Sequence, residues 1–302
     1  MLWLDSPQRR AAEPSLGGGT TVDLVVVGGG FSGLWAAIQA KEDDSSRSVI
    51  VIEAGLIADQ ASGRNGGFCS SSLTHGLENG LARWPDEFDR IEAAARENFA
   101  GIRASIERYG IDCGWEETGT LAVATAPWQV DDLHGGATLA ARYGRQSDVL
   151  DADELRAEVD SPTYCGGTWL RDGEAMIDPA RLAWGLADAA RSLGVIIHEC
   201  TPMTDLSRSG AAMSVRTASG TIRCGAVILA TNAFRSPVKA INRMIVPVYD
   251  YVLATEPLSA AQLESVGWRN RQGISDATNQ FHYYRLTSDN RILWGGYDAV
   301  YH

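Results

Sequence analysis

The chain has 302 residues, 45% hydrophobic and 21% charged, enough apolar mass for one or two buried cores and too much for a disordered chain. Its formal charge of −12 repels phosphate backbones and anionic lipid, which weighs against nucleic-acid and membrane-surface roles. The five cysteines, Cys69, Cys113, Cys165, Cys200 and Cys224, are odd in number and form no CxxC pair, so neither a disulfide framework nor a metal site is expected and a reducing cytoplasm fits best.

The opening segment, Met1 to Gly19, carries Arg9-Arg10 with no apolar run behind them and reads as a short loose arm, not a signal peptide. Val22 to Val27 (VDLVVV) is almost wholly apolar, the pattern of a strand buried on both faces of a parallel sheet. Gly28-Gly29-Gly30 breaks it, and a helix is expected from Phe31 to Lys41 with Leu34 and Ile38 on one face. After a polar turn, Val49 to Glu53 is a second buried strand, which completes a βαβ opening. A glycine-rich loop, Ala61 to Phe68 (ASGRNGGF), and a serine-rich stretch follow. From Trp84 the spacing of Phe88, Ile91, Ala95, Phe99, Ile102, Ile106 and Tyr109 predicts one long amphipathic helix, with Pro85 in its first turn and Gly110 at its end.

Trp115–Thr125 reads as a strand, and Gln129–Tyr143 and Asp151–Val159 as helices. Asp178 as N-cap, Pro179 at the first helical position and Gly194 as the stop delimit another helix, followed by a strand at Val195–Glu199. Met203–Ser207, Met213–Thr217 and Thr221–Arg223 form a predicted β-meander that leads into a buried strand, Ala226–Thr231. Val246–Thr255, Phe281–Leu286 and Arg291–Gly296 alternate like strands of a second, mixed sheet.

Gly28-x-Gly30-x-x-Gly33 lies between a predicted strand and a predicted helix, and Glu53 ends the next strand. Gly28 permits the tight turn, Gly30 lets a pyrophosphate approach bare backbone, and Gly33 lets helix and strand pack closely. The helix N-terminus offers free N–H groups and a positive dipole end. Glu53 can accept hydrogen bonds from both ribose hydroxyls and would repel a 2′-phosphate. In this context the glycine pattern predicts dinucleotide binding. Two features favour FAD over NAD: the donor-rich ASGRNGGF loop, which can lie along a pyrophosphate and reach a flavin, and the meander before AVILAT.

VVVGGGFSGLWAAIQA, VIEAG, ASGRNGGF and VILATNAF together resemble the D-amino-acid oxidase and glycine oxidase superfamily of FAD-dependent oxidoreductases, from about Asp23 onward. The GRNGG loop is similar to that of the gamma-glutamylputrescine oxidoreductase branch. The resemblance implies an α/β fold: a Rossmann-like FAD/NAD(P)-binding domain with a parallel sheet and β-meander crossover, plus a mixed-sheet α+β substrate domain. Residues 1–84 and 170–240 would form the FAD-binding domain, and 85–169 and 241–302 the substrate domain. It further implies FAD contacts at Gly28, Gly30, Phe31, Ser32, Gly33, Glu53 and Ala54, at Ser62, Arg64, Asn65 and Gly66 of the loop, at Met203, and at Ala230 and Thr231. Relatives of this kind are longer and end with a further glycine-rich strand and helix, so the sequence looks C-terminally truncated.

The implied activity is oxidation of a small amine or amino acid by hydride transfer from its α-carbon to flavin N5, giving an imine that hydrolyses. A neutral amine is required, and desolvation beside an aromatic wall favours that form. Tyr249, Tyr251, His282, Tyr284 and Trp294 are the expected wall, since Tyr249 shares a strand face with Tyr251 and His282 with Tyr284. The sarcosine oxidase branch has a lysine before a Gly-Tyr pair; Ile292-Leu293-Trp294-Gly295 lacks it, which leaves a dehydrogenase open beside an oxidase. The competing readings are an NAD-dependent dehydrogenase and a non-catalytic flavoprotein or gene fragment.

Overall fold

A computed structural model describes residues 1–296. The chain divides into two compact units: Met1–Asn65, Tyr109–Cys113 and Asp178–Val248 form the first, and Gly66–Arg108, Gly114–Ile177 and Tyr249–His302 the second. The first boundary falls after Asn65 rather than after residue 84. The cause is pairing: the strand Phe68–Ser70 runs antiparallel to Glu174–Met176, which places both segments in the second unit.

The first unit is built on a six-stranded sheet in the order Ile196–His198, Val49–Ile52, Thr20–Val27, Thr221–Leu229, Ala212–Thr217 and Met203–Ser209. The first four are parallel and the last two pair antiparallel. Val25, Val26 and Val51 are wholly buried, as an apolar run in a central parallel strand must be. The helix Phe31–Asp43 buries Leu34, Ala37 and Ile38. The helix Pro179–Ser192 starts where its caps predict: the Asp178 carboxylate accepts from the Ala180 and Arg181 amides, both at 3.0 Å.

The meander differs in one respect. Its third strand and the following apolar run are a single strand, Thr221–Leu229, whose first half pairs with Ala212–Thr217 while its whole length pairs with Thr20–Val27; the apolar run, expected to be buried, leaves Ala226 and Ile228 exposed. The opening segment is also not a loose arm. Trp3, Leu4 and Leu16 are buried, and the Glu13 and Leu16 amides donate to Glu199 Oε2 (2.5 Å) and Thr201 Oγ1 (3.1 Å). The buried Glu199 carboxylate also takes the Ile57 amide at 2.5 Å, so one acid side chain anchors two loops of this unit.

The second unit holds a seven-stranded mixed sheet in the order Tyr251–Ala254, Ile292–Gly296, His282–Leu286, Gly273–Asp276, Thr120–Ala124, Gly166–Leu170 and Ser147–Leu150. Gly273–Asp276 was not anticipated; four residues carry too little alternation to be read as a strand. The long helix is Phe88–Tyr109, with Pro85 in the turn before it, and a short helix, Leu77–Arg83, follows the serine-rich stretch. The expected strands at 115–125 and 246–255 shorten to Thr120–Ala124 and Tyr251–Ala254. Val130–Arg142 and Ala152–Glu158 are helices as expected, the second started by a capping box between Asp151 and Glu154.

The two faces of this sheet differ. Leu121, Val123, Trp169, Ile274, Tyr284 and Leu286 form a hydrophobic core on one. Ala122, Thr168, Ser275 and Tyr283, in register across four strands, alternate to the other. Among the described residues no helix is long and apolar enough to cross a membrane.

Candidate functional site

The glycine pattern of the first unit forms a turn with no room for side chains. Gly28 has φ +112°, and a Cβ there would lie 2.3 Å from the Ala230 carbonyl oxygen. A Cβ on Gly33 would lie 1.9 Å from the Gly28 oxygen, so the helix start and the end of the first strand touch backbone to backbone. Gly30 is the residue that caps the helix Phe31–Asp43, and no acidic side chain sits in that helix's first turn. Ser62 Oγ accepts from the Phe31 amide at 3.0 Å and leaves the later first-turn amides without intrahelical acceptors.

Glu53 faces the same turn. One carboxylate oxygen accepts from the Gly29 amide at 2.7 Å and the other from the Gly55 amide at 2.8 Å. Each oxygen keeps a lone pair for a further donor. A cavity of about 200 Å3 opens here, lined among others by Gly28, Gly30, Glu53, Met203, Ala230 and Thr231. Ala54 and Ser62 also border it. The turn that excludes Cβ atoms, the helix start with its later first-turn amides open and the acid at the next strand's end fit the ADP half of a dinucleotide such as FAD. Arg64 is exposed at the end of the short helix Ala61–Arg64. The Asn65 amide group donates back to the Ala61 and Ser62 carbonyls at 3.1 and 2.9 Å. That end of the glycine-rich loop is therefore a small helical turn with a side-chain cap.

In the second unit, Gly66 lies against the Tyr283 ring: a Cβ on Gly66 would come within 2.5 Å of it, and one on Gly295 within 2.2 Å. Phe68 meets Tyr283 edge-on at 5.6 Å between centroids, and Phe281 at 6.4 Å. Arg285, on the same strand face, is buried and donates to the Gly67 and Ile177 carbonyls at 2.9 and 2.7 Å.

Of the five residues expected as a substrate wall, His282, Tyr284 and Trp294 pack together, while Tyr249 and Tyr251 are exposed. Tyr284 is buried in the hydrophobic core, its hydroxyl 2.7 Å from that of Tyr164, and its ring stacks on Trp294 at 4.3 Å and 7°. His282 borders Trp294 at 5.3 Å and bonds Asp276 through Nδ1 at 2.7 Å. Tyr249 and Tyr251 are 66% and 64% exposed. Pairing explains it: Tyr284 is in register with Ile274 and Trp294, and Tyr283 with Ser275 and Gly295. The aromatic residue beside Gly66 is thus Tyr283, of opposite parity to His282 and Tyr284.

A polar group that sequence reasoning missed lies in the same unit. Glu174 is buried, accepts from Ser70 Oγ at 2.6 Å and Thr120 Oγ1 at 3.3 Å, and burial pushes its carboxyl up to about 7. The nearby Arg145 is buried too and is spent on Glu92 (2.7 Å) and on Ser71 Oγ (2.7 Å). The one local signal was an acid flanked by apolar residues in the short run GEAMI.

The raised carboxyl has a consequence for stability. Below pH 4.5, its ordinary value, Glu174 is protonated folded or unfolded and contributes no difference. Between there and about pH 7 the folded chain holds a proton that the unfolded chain has lost, so stability falls as pH rises. The total is on the order of 3 kcal/mol, from about 1.4 kcal/mol per pH unit. Glu174→Gln is therefore expected to match the parent in urea unfolding near pH 4 and to exceed it by roughly that amount above pH 8. Equal stability at both pH values would show that the carboxyl is not desolvated.

Comparison with known proteins agrees with this geometry. Residues 23–302 match the FAD dependent oxidoreductase family. The chain belongs to that family. It is 34% identical over 297 residues to the gamma-glutamylputrescine oxidoreductase of Escherichia coli, covering 96% of this chain and 68% of that protein. It is 33% identical over 281 residues to the probable oxidoreductase OrdL of Haemophilus influenzae, covering 90% of this chain and 64% of the relative. Glycine oxidase from Geobacillus kaustophilus shares the fold, with a TM-score of 0.69 at 22% identity over 91% of this chain and 71% of that one. The chain spans about two thirds of the length of these relatives. Family membership decides for FAD over a nicotinamide coenzyme.

Proposed function

We propose that this chain carries the cofactor cradle and part of the substrate side of an enzyme that oxidises a small amine or amino acid. The observation that supports it is the turn at Gly28–Gly33 facing the Glu53 carboxylate, in a family whose cofactor is FAD. When bound, FAD supplies the two-electron acceptor for the substrate's C–N bond. The chain's own residues hold and align. The bare turn and helix start receive the pyrophosphate, and Glu53 receives the ribose hydroxyls while fixing Gly29 and Gly55. Gly66, Phe68 and the Tyr283 ring, whose hydroxyl donates to Asp250, give the second unit an aromatic surface that would favour an unprotonated amine. Relatives named for gamma-glutamylputrescine and glycine oxidation point to an amine or amino-acid substrate.

Glu53→Ala tests the cradle. It removes both ribose acceptors and the support of two loop amides, so FAD affinity by calorimetry is expected to fall ten- to a hundredfold, about 1.4 to 2.8 kcal/mol. An unchanged affinity would remove Glu53 from the site. Anaerobic bleaching of the FAD-loaded chain by a panel of polyamines, glycine, sarcosine and D-amino acids tests the activity; a flavin that no member bleaches would overturn it.

A further inference from the structure

The second unit contains a cavity of about 570 Å3, within the range of small-molecule sites. Its walls come from the sheet face of Thr120, Ala122 and Thr168 and from the helix Val130–Arg142. The lining is graded. Leu133, Ala137, Ala140 and Leu170 are apolar walls, and Glu78 and Asp132 are exposed acids at the rim. Glu174 lines it as a carboxylate only 8% exposed.

The charges do not balance. Arg145, a cation acting on Glu174, already pairs with Glu92 at 2.7 Å, and Asp172 adds further negative charge nearby. Ser70 and Thr120 donate one hydrogen bond each to separate oxygens of Glu174, which leaves acceptor capacity on both. A buried carboxylate in this state is stabilised by a cation that arrives with its own donors. Alkyl-lined walls ending on a carboxylate suit an alkyl chain ending in an ammonium, and the acidic rim favours its entry.

We infer that this cavity binds the ammonium end of an alkyl diamine, with Glu174 as its acceptor, and so selects amine substrates that carry a second, non-reacting amino group. This rests on the amine reading above only in identifying the ligand with the substrate; the binding itself does not depend on it.

The test is calorimetry on the full chain with 1,4-diaminobutane and with 1-aminobutane, at pH 8 and at pH 6. The groups facing Glu174 are Arg145, Asp172 and the Ser70 and Thr120 hydroxyls, with His75, Glu78 and Asp132 around the cavity. The diamine is expected to bind at least tenfold more tightly than the monoamine at pH 8, and more weakly at pH 6. Glu174→Gln should cost at least tenfold at pH 8 and flatten the pH dependence. Thr168→Val, which keeps the volume and removes a wall hydroxyl, should change affinity less than Glu174→Gln. No diamine binding, equal binding of both amines, or full affinity in Glu174→Gln would each overturn the inference. Diamine binding that persists while no amine bleaches the flavin supports this site and sinks the oxidation reading instead.

Discussion

Replacing Arg145 with methionine is expected to destabilise the chain by about 3 to 5 kcal/mol, the range found when one partner of a buried ion pair is removed. The Arg145 side chain is 5% exposed and that of Glu92 8%, and two guanidinium nitrogens reach Glu92 Oε1 at 2.7 Å. A third nitrogen holds Ser71 Oγ at 2.7 Å. The variant would leave Glu92 buried with only the half-exposed Arg96 at 3.2 Å, and would withdraw the cation that holds down Glu174. Urea unfolding reads the loss. Arg145→Lys should recover little, because a single ammonium cannot reproduce the fork. Glu92→Met combined with Arg145→Met should recover the part of the loss that belongs to Glu92, since that carboxylate is no longer stranded, and leave the part that belongs to Glu174. A single-variant loss under about 1 kcal/mol would mean that Glu92 finds water or another donor.

What the sequence revealed and what it hid follow from how far apart the partners lie. The glycine turn and the acid facing it were legible because their parts are local: an apolar run, three glycines at fixed spacing and an acid at the next strand's end all fall within Val22–Glu53. The helix at Pro179 was legible for the same reason, since Asp178 caps amides two and three residues on. Arg145 was not, because its partners Glu92 and Ser71 are 53 and 74 residues away. The strand His282–Leu286 shows a subtler limit. Alternation correctly put His282 and Tyr284 on one face, but both faces of that strand carry large side chains, so pattern alone did not say which one meets Gly66. Register with Ile274 and Gly295 decided that, and register is a property of neighbours far along the chain. The Met1–Gly19 segment hid its docking in the same way: the Trp3 indole donates to the Asn65 carbonyl 62 residues on, and the Glu13 and Leu16 amides donate to Glu199 and Thr201, 186 and 185 residues later.

The other large effect belongs to Gly33→Ala, a change of one methyl group. That methyl would sit 1.9 Å from the Gly28 oxygen, 3.0 Å from its carbonyl carbon and 3.3 Å from Val26 Cγ1. None of these neighbours can yield cheaply. Gly28 is held at φ +112° with Ala230 behind it, its amide is bonded to Ile52 at 2.8 Å, and the Ala230 amide is bonded to Val27 at 2.8 Å. The helix Phe31–Asp43 must therefore lift from the sheet, and its first amides leave the place where a pyrophosphate would lie. Overpacking of this kind costs typically 1 to 3 kcal/mol and reaches the upper part of that range where backbone is the obstacle. FAD affinity is expected to drop at least a hundredfold, or about 2.8 kcal/mol, since the geometry of the whole cradle is lost rather than one contact. Gly17→Ala is the control: nothing lies within 4 Å of the added methyl, so both stability and FAD uptake should match the parent. If Gly33→Ala binds FAD as well as Gly17→Ala does, then close backbone contact at the helix start is not what shapes the cofactor site.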